Sequence, residues 1–379
     1  MIFRDDVKMT LNDTALVPAD VRAFFVANGL SLDALLAMPP PPRSFWVRPS
    51  YASDAIVEAV RSQTGTSVEP ARFPVGFFEM NAAADIAHVQ PYKQGQILCM
   101  DTSSAVAVAC LDVQDGDDCL DVCAAPGMKL AMLADIVGAD GSVTGVDLSA
   151  ERLAGCRTLV RKHRLGRVRL YRADGRTFDV EAPAEVTRGH IEKAGPATAA
   201  AMPPADDCAG PLPYDAPKLL RNGWTKTGRL YDRVLVDAEC THDGSIRHLQ
   251  KAASQGWAHF VQQSLDPERL RGLPQLQLAL LRNGFRLLQR GGTLVYSTCS
   301  LTRAQNEAVL EAFLRDNPFA RLEPALQTSS ALIDPASIPP QCILSLEGTC
   351  TQIDKPHILR FDPGRSQTSG LFIAKIVKL

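Results

Sequence analysis

Asp121-Val-Cys-Ala-Ala-Pro-Gly-Met-Lys129 reads as the end of a strand, a turn of small residues and the start of a helix. An apolar strand predicted at Cys119–Val122 leads into the turn, and a helix predicted at Lys129–Ile136 leads out. From Asp118 onward the alternation repeats. Strands are predicted at Ser142–Val146, Val168–Arg172, Arg233–Val236 and Thr293–Tyr296, with helices at Ala150–His163, Gln275–Gln289 and Ala304–Asp316. Short apolar strands alternating with helices imply an α/β fold, a parallel sheet covered on both faces. Gly138–Gly141 and Gly291-Gly292 supply turns at helix–strand junctions.

Upstream, residues 1–95 read as a small α+β domain preceding a larger one over 96–379. Helices are predicted at Pro18–Gly29 and Leu30–Met38, the second stopped by Pro39–Pro42. Strands follow at Ser44–Arg48 and Phe73–Met80, with a helix at Ser53–Arg61. Within the larger domain, residues 180–225 are rich in Ala, Pro, Glu and Asp. They are predicted to be a disordered insertion, because this composition builds no core.

The chain has 379 residues, 46% hydrophobic and 22% charged, as expected of a globular protein of two domains. Its formal net charge of −2 excludes a global basic field, so a nucleic-acid partner would need a local patch. Arg157–Arg172 and the series Arg282, Arg286, Arg290 are such patches, each read first as a solvated helix face. Ten cysteines without paired Cys-x-x-Cys elements indicate neither a disulfide scaffold nor a zinc site, and no metal is expected. Free thiols imply an intracellular, reducing compartment, cytoplasm or nucleus. No apolar run is long enough to span a bilayer, and the first residues read as neither signal nor transit peptide. A monomer is expected.

Small residues between a strand and a helix leave backbone N–H groups open to an anion. Cys123, Ala124, Ala125, Pro126, Gly127, Met128 and Lys129 therefore form a candidate cofactor loop. Asp147 ends the next strand, where an acid accepts ribose hydroxyls. Asp174 ends the third, placed for an adenine amino group, and Asp237 ends the fourth. The loop is not Gly-x-Gly-x-x-Gly, which disfavours a dinucleotide and favours S-adenosylmethionine.

Cys240, in Val234–Cys240, and Cys299, in Thr293–Ser300, both lie at strand carboxyl ends on the cofactor side. A thiolate there can add to carbon-6 of a pyrimidine and make carbon-5 nucleophilic. Positive charge or a helix N-terminus raises the thiolate fraction, and the helix predicted from Ala304 follows Cys299. Cys110, Cys119, Cys156, Cys342 and Cys350 read as apolar fillers, and Cys208 carries no assigned chemistry.

The ordered set Asp-Val-Cys-Ala-Ala-Pro-Gly (121–127), Gly-Val-Asp (145–147), Asp-Ala-x-Cys (237–240) and Ser-Thr-Cys-Ser (297–300) resembles the Sun/Fmu-like (NSUN) RNA cytosine-5 methyltransferases over roughly residues 90–379. The resemblance implies a Rossmann-like class I methyltransferase sheet, mostly parallel, whose antiparallel last strand is the tail Ser369–Ala374. It implies transfer of a methyl group from S-adenosylmethionine to carbon-5 of cytosine in tRNA or rRNA. Cys299 would be the nucleophile, and Cys240 would assist proton removal and release. Asp237 would bind the cytosine edge, Lys129 would lie near the reacting centre, and the N-terminal domain would contact RNA. Tyr92–Gly95 and Asp101 resemble the family's entry segment.

Three departures qualify the match. Met128 stands where the family has glycine, Glu239 where it has proline, and Thr241-His242-Asp243-Gly244 where it has Ser-Gly. Glu239 is expected to add charge beside Cys240. His242 is read as a loop histidine facing RNA or solvent, with an additional base as the alternative. Arg247, His248 and Lys251 follow on a predicted helix, as phosphate ligands or a solvated face. Met128 and Glu239 motivate a second reading, an RNA-binding scaffold with impaired catalysis. A DNA cytosine methyltransferase using Cys240 would leave Cys299 unexplained.

Overall fold

The computed structural model describes residues 17–183, 211–215, 227–326, 332–344 and 357–379. Four short strands, β1 (Arg43–Val47), β2 (Val68–Pro70), β3 (Phe77–Met80) and β4 (Ile97–Cys99), form a small sheet in the order β2-β3-β1-β4. One face, with Phe45, Val47 and Ile97, buries the helix Ser53–Thr64 through Ile56, Val57 and Val60. The other sends Trp46, Phe77 and Leu98 into the main core. The sheet's fourth strand lies beyond residue 95, where the domain boundary was expected. The predicted strand Phe73–Met80 is shorter than expected: Phe73–Gly76 turns, and Gly76 (φ +80°) passes so close to Trp46 that a Cβ would meet its indole nitrogen at 3.0 Å.

The main sheet is built from β5 (Asp118–Asp121), β6 (Ser142–Asp147), β7 (Val168–Arg172), β8 (Leu212–Asp215), β9 (Tyr231–Asp237), β10 (Leu288–Thr298), β11 (Ala320–Glu323), β12 (Ile343–Leu344), β13 (Ile358–Phe361) and β14 (Leu371–Lys378). Its order is β12-β13-β14-β10-β9-β5-β6-β7-β8, with β11 also on β14. The run β10-β9-β5-β6-β7 is parallel throughout. β14 is antiparallel to β10, pairing Thr293 with Val377 through to Thr298 with Phe372. This is the Rossmann-like methyltransferase sheet with its reversed last strand. Val234, Leu235 and Val236 of β9 have no exposed surface, because helices cover both faces. Strand order reverses between β5 and β9, and the crevice beyond their carboxyl ends is where an open α/β sheet holds its ligand.

Two elements differ from the sequence expectation for local reasons. The helix expected from Gln275 begins at Pro267, because Asp266 accepts N–H groups of Glu268 and Arg269 and a proline fits the first turn. Gly291-Gly292 does not end an element: both glycines lie inside β10, where the register with β9 shifts between Leu288 and Thr293. A Cβ on Gly292 would meet the Asp232 carbonyl at 2.9 Å.

Of the insertion expected at 180–225, residues 184–210 and 216–225 lie outside the described residues, Cys208 among them. Leu212–Asp215 forms the edge strand β8, antiparallel to β7. Cys350 also lies outside the described residues. Among those described, no helix is long and apolar enough to cross a membrane.

Candidate active site

Beyond Asp121 the chain turns through Cys123–Gly127 into the helix Met128–Ile136. Gly127 caps this helix at φ +105°, a conformation L side chains rarely adopt, and a Cβ there would lie 3.2 Å from the Cys156 sulfur. Cys156 is the buried filler expected, as are Cys110, Cys119 and Cys342. Asp147 holds the turn in place. Its carboxylate accepts N–H groups of Ala125 at 3.2 Å and Ser149 at 3.0 Å, while Arg152, 3.4 Å away, donates to the Ala125 carbonyl at 2.7 Å. Asp174 pairs with Arg176 at 2.6 Å, which holds its carboxyl below the usual range.

A cavity of about 570 Å³ opens at the switch point. The loop Cys123–Lys129, Asp237 and Cys299 line it, so it gathers most of the expected site residues. Asp147 and Asp174 are not in its wall. The opposite wall carries Arg43 and Ser44 of the small sheet and Arg247 and His248 of the helix Ile246–Gln255. The patch Arg282 and Arg286 is occupied otherwise: Arg282 pairs with Asp316, and Arg286 donates to Asn283 and to the Phe178 carbonyl.

Parallel pairing of β9 with β10 sets Asp237 beside Ser297, and both chains leave the sheet there. Asp237 accepts from Ser297 Oγ at 2.7 Å and from Lys129 Nζ at 2.7 Å. Burial works against the Lys129 ammonium, yet Asp237 more than offsets it and the lysine pKa stands above its ordinary value. Three residues beyond Asp237 and two beyond Ser297, the sulfurs of Cys240 and Cys299 lie 3.3 Å apart. Cys299 faces the cavity, and Cys240, 1% exposed, sits behind it. Its hydrogen bond with Cys299 and its burial push the Cys240 thiol well above the ordinary range.

His242 is half-buried, and one ring nitrogen turns inward. Its Nδ1 lies 3.0 Å from the Cys299 sulfur and 3.8 Å from that of Cys240. The residue sits at φ +55°, the left-handed region that suits the glycine this position replaces. The helix expected from Ala304 begins at Glu307, so no helix N-terminus adjoins Cys299. Glu239 turns away from Cys240 to pair with Arg269. The thiol of Cys240 answers to Cys299 and burial, not to that carboxylate.

A buried polar lattice that sequence reasoning missed clamps the two cysteine loops. Gln305 accepts the Thr241 N–H at 3.2 Å and donates to Thr241 Oγ1 at 2.9 Å. Gln277 donates to the Glu239 carbonyl at 2.8 Å, Asn306 to the Ser300 carbonyl at 2.8 Å, and Asp243 accepts the Leu301 N–H at 2.7 Å. Gln277 was detectable as a polar residue on the apolar stripe Leu273, Leu280, Leu281. Gly244 donates to the Cys299 carbonyl at 3.0 Å and accepts from the Gly370 N–H at 2.8 Å. A Cβ on Gly244 would lie 2.7 Å from that carbonyl oxygen and 3.1 Å from Gly370 Cα, so backbone must move. Gly244→Ala is expected to lose about 2–3 kcal/mol in urea unfolding; an unchanged midpoint would contradict this packing.

Asp121 was also overlooked as an individual group. It is 1% exposed, reaches the cavity wall, and its Oδ1 has no hydrogen-bond partner. Burial, helped by Asp237, raises its pKa to about 7. Between about pH 4 and pH 7 the folded state keeps a proton that the unfolded state has lost. This site's contribution to stability therefore falls as pH rises through that window, by on the order of 3–4 kcal/mol in total. Asp121→Asn is expected to flatten the slope, read by urea unfolding at several pH values. A slope unchanged by the substitution would assign the titration to another group.

The family description 16S rRNA methyltransferase RsmB/F matches residues 108–188 and 215–377. The chain is 29% identical over 233 residues to the probable ribosomal RNA small subunit methyltransferase B of Bacillus subtilis (strain 168), covering 62% of this chain and 40% of that protein. It is 28% identical over 295 residues to the 5-cytosine rRNA methyltransferase NSUN4 of Bos taurus, covering 74% and 59%. The chain thus spans about half the length of these relatives. Among solved structures, a methyltransferase homolog protein from Pyrococcus horikoshii superposes with a TM-score of 0.59 at 22% identity, covering 92% of this chain and 90% of that one. NSun6 from the same organism gives 0.64 at 15%, covering 95% and 98%. These likenesses establish a shared fold.

Proposed function

Because the chain belongs to the RsmB/F family of RNA methyltransferases, we propose that it methylates carbon-5 of a cytosine in RNA, with ribosomal RNA the first substrate to test. The observation that carries this reading is the pair of sulfurs 3.3 Å apart, Cys299 in the wall of the switch-point cavity and Cys240 directly behind it. A single buried filler cysteine needs no such partner.

The residues present fit S-adenosylmethionine. The first turn of the helix Met128–Ile136 has no side-chain cap, and Asp121 Oδ1 has no donor. An α-carboxylate suits the first and an α-ammonium the second. Cys123–Lys129 and Asp237, in the cavity wall, would hold the cofactor, which supplies an electrophilic methyl group when bound; Asp147 and Asp174, outside that wall, would reach it from the neighbouring strand ends.

On this reading Cys299 adds to carbon-6 of an unstacked cytosine. His242, 3.0 Å from its sulfur, fixes the thiol's orientation. Asp237 binds the base edge, and Lys129 holds Asp237 in place. Cys240 assists removal of the carbon-5 proton and release of Cys299. Its hydrogen bond with Cys299 and its burial keep the Cys240 thiol protonated, so as the carbon-6–sulfur bond breaks it would pass that proton to the departing Cys299 sulfur and take the carbon-5 proton in its place, leaving both thiols protonated. The N-terminal unit contacts RNA through the cavity wall, where Arg43, Arg247 and His248 gather.

Bisulfite sequencing of ribosomal and transfer RNA, with and without the protein, tests the assignment. A new protected cytosine is the expected result, and its absence from both pools would reject it. Met128 lies in the cavity wall where the family carries glycine, which favours a second reading, a scaffold without turnover. Calorimetry separates the two, since the scaffold predicts no S-adenosylmethionine binding.

A further inference from the structure

We propose that Cys240, His242 and Cys299 form a binding site for one zinc ion. Their three donor atoms converge, with separations of 3.0 Å (His242 to Cys299), 3.3 Å (Cys240 to Cys299) and 3.8 Å (Cys240 to His242). Zinc bonds of about 2.3 Å to sulfur and 2.0–2.1 Å to nitrogen, in tetrahedral array, set ligand atoms about 3.5–3.8 Å apart. The shorter two separations need to widen by about 0.5 Å, within reach of small rotations of the cysteine side chains.

The loops that carry the donors are braced for this. His242 keeps a strained left-handed backbone at φ +55°, which turns its ring toward the sulfurs rather than outward. On either side, Thr241 is tied to Gln305 and Asp243 to the Leu301 N–H. Gly244 joins the loop directly to the Cys299 carbonyl.

The donor set selects the metal. Two thiolates and an imidazole suit zinc and offer nothing to magnesium or calcium, which take oxygen ligands. Three protein ligands leave a fourth position, and it faces the cavity because Cys299 lines that wall while Cys240 lies behind. The site is therefore of the open Cys2His type. Binding releases the thiol protons to solvent. Both sulfurs are then occupied, so zinc acts as a reversible inhibitor that competes with RNA. That consequence rests on the methyltransferase reading, whereas metal binding does not.

The test uses the full chain, reduced and stripped with a chelator, titrated with cobalt(II). The expected result is a thiolate-to-cobalt charge-transfer band and the strong visible bands of a tetrahedral site, both saturating at one equivalent and abolished by zinc. Cys240→Ser and Cys299→Ser should each weaken the charge-transfer band, and His242→Ala should lower zinc affinity at least about tenfold. Cys99→Ser should leave the spectrum unchanged. A native chain without the band at one equivalent overturns the proposal, whatever the variants do. So does a native spectrum retained in Cys240→Ser. If the cobalt spectrum forms but no RNA is methylated under any condition, the methyltransferase reading fails and the metal site stands. If methylation occurs without the spectrum, the reverse holds.

Discussion

Cys299→Ala is expected to lower methyl transfer by on the order of 10⁴-fold or more, while Cys240→Ala accumulates a covalent protein–RNA adduct. The two sulfurs are 3.3 Å apart but not equivalent. Cys299 faces the cavity, and Cys240 is screened from it. On the proposed mechanism the exposed sulfur adds to carbon-6 of a base entering the cavity, so its loss would remove the bond that activates carbon-5. The screened sulfur would act only once Cys299 holds the substrate, so its loss would leave the first bond formed and its release slow. Transfer of labelled methyl groups reads the first effect, and a denaturing gel of labelled RNA reads the second. Normal turnover by Cys240→Ala, with no adduct, would remove the two-cysteine assignment. An adduct in Cys299→Ala but not in Cys240→Ala would make Cys240 the nucleophile.

Asp237→Asn is expected to reduce methylation about 10²–10³-fold and to destabilise the fold by about 2–3 kcal/mol. The carboxylate accepts from Lys129 and from Ser297, both at 2.7 Å. Its loss leaves burial of the Lys129 ammonium opposed only by the smaller effects of Asp121 and Cys299, and the lysine pKa then falls. The stability loss lies below that of a fully buried pair because the Lys129 and Asp237 side chains keep 15% and 28% of their exposure. Adding Lys129→Met should recover stability, since no unpaired charge remains, while on the proposed mechanism activity stays low because the base edge has lost its charged acceptor. If the double variant regains activity along with stability, Asp237 serves only to neutralise Lys129. Urea unfolding and labelled-methyl assays of the four proteins in this cycle supply the two readings.

Much of the candidate site's geometry was legible because strand ends are local events. Asp237, Cys240 and Cys299 each follow a short apolar run, Lys129 lies in the first turn of the helix after β5, and a parallel sheet delivers all its strand ends to one edge. The lattice beneath them was not legible. Gln305 joins Thr241 across 64 residues, and Gln277 reaches the Glu239 carbonyl across 38. Such bonds leave no periodicity, since a buried glutamine and an exposed one are the same letter.

His242 shows where the boundary falls. Its place in a loop after β9 was readable, and so was its substitution for a small residue. Its direction was not, because a left-handed backbone and a cysteine 57 residues away decide where the ring points. From sequence alone came the alternation of β5, β6, β7, β9 and β10 with helices, the loop Cys123–Lys129 and the two cysteines at strand ends, since hydrophobic period and turn chemistry are short-range properties. Tertiary structure alone decided that the sulfurs touch, that an imidazole joins them and that Asp121 keeps its proton up to about pH 7. Those facts depend on packing between distant segments and on exclusion of water, and neither is a property of any local stretch of chain.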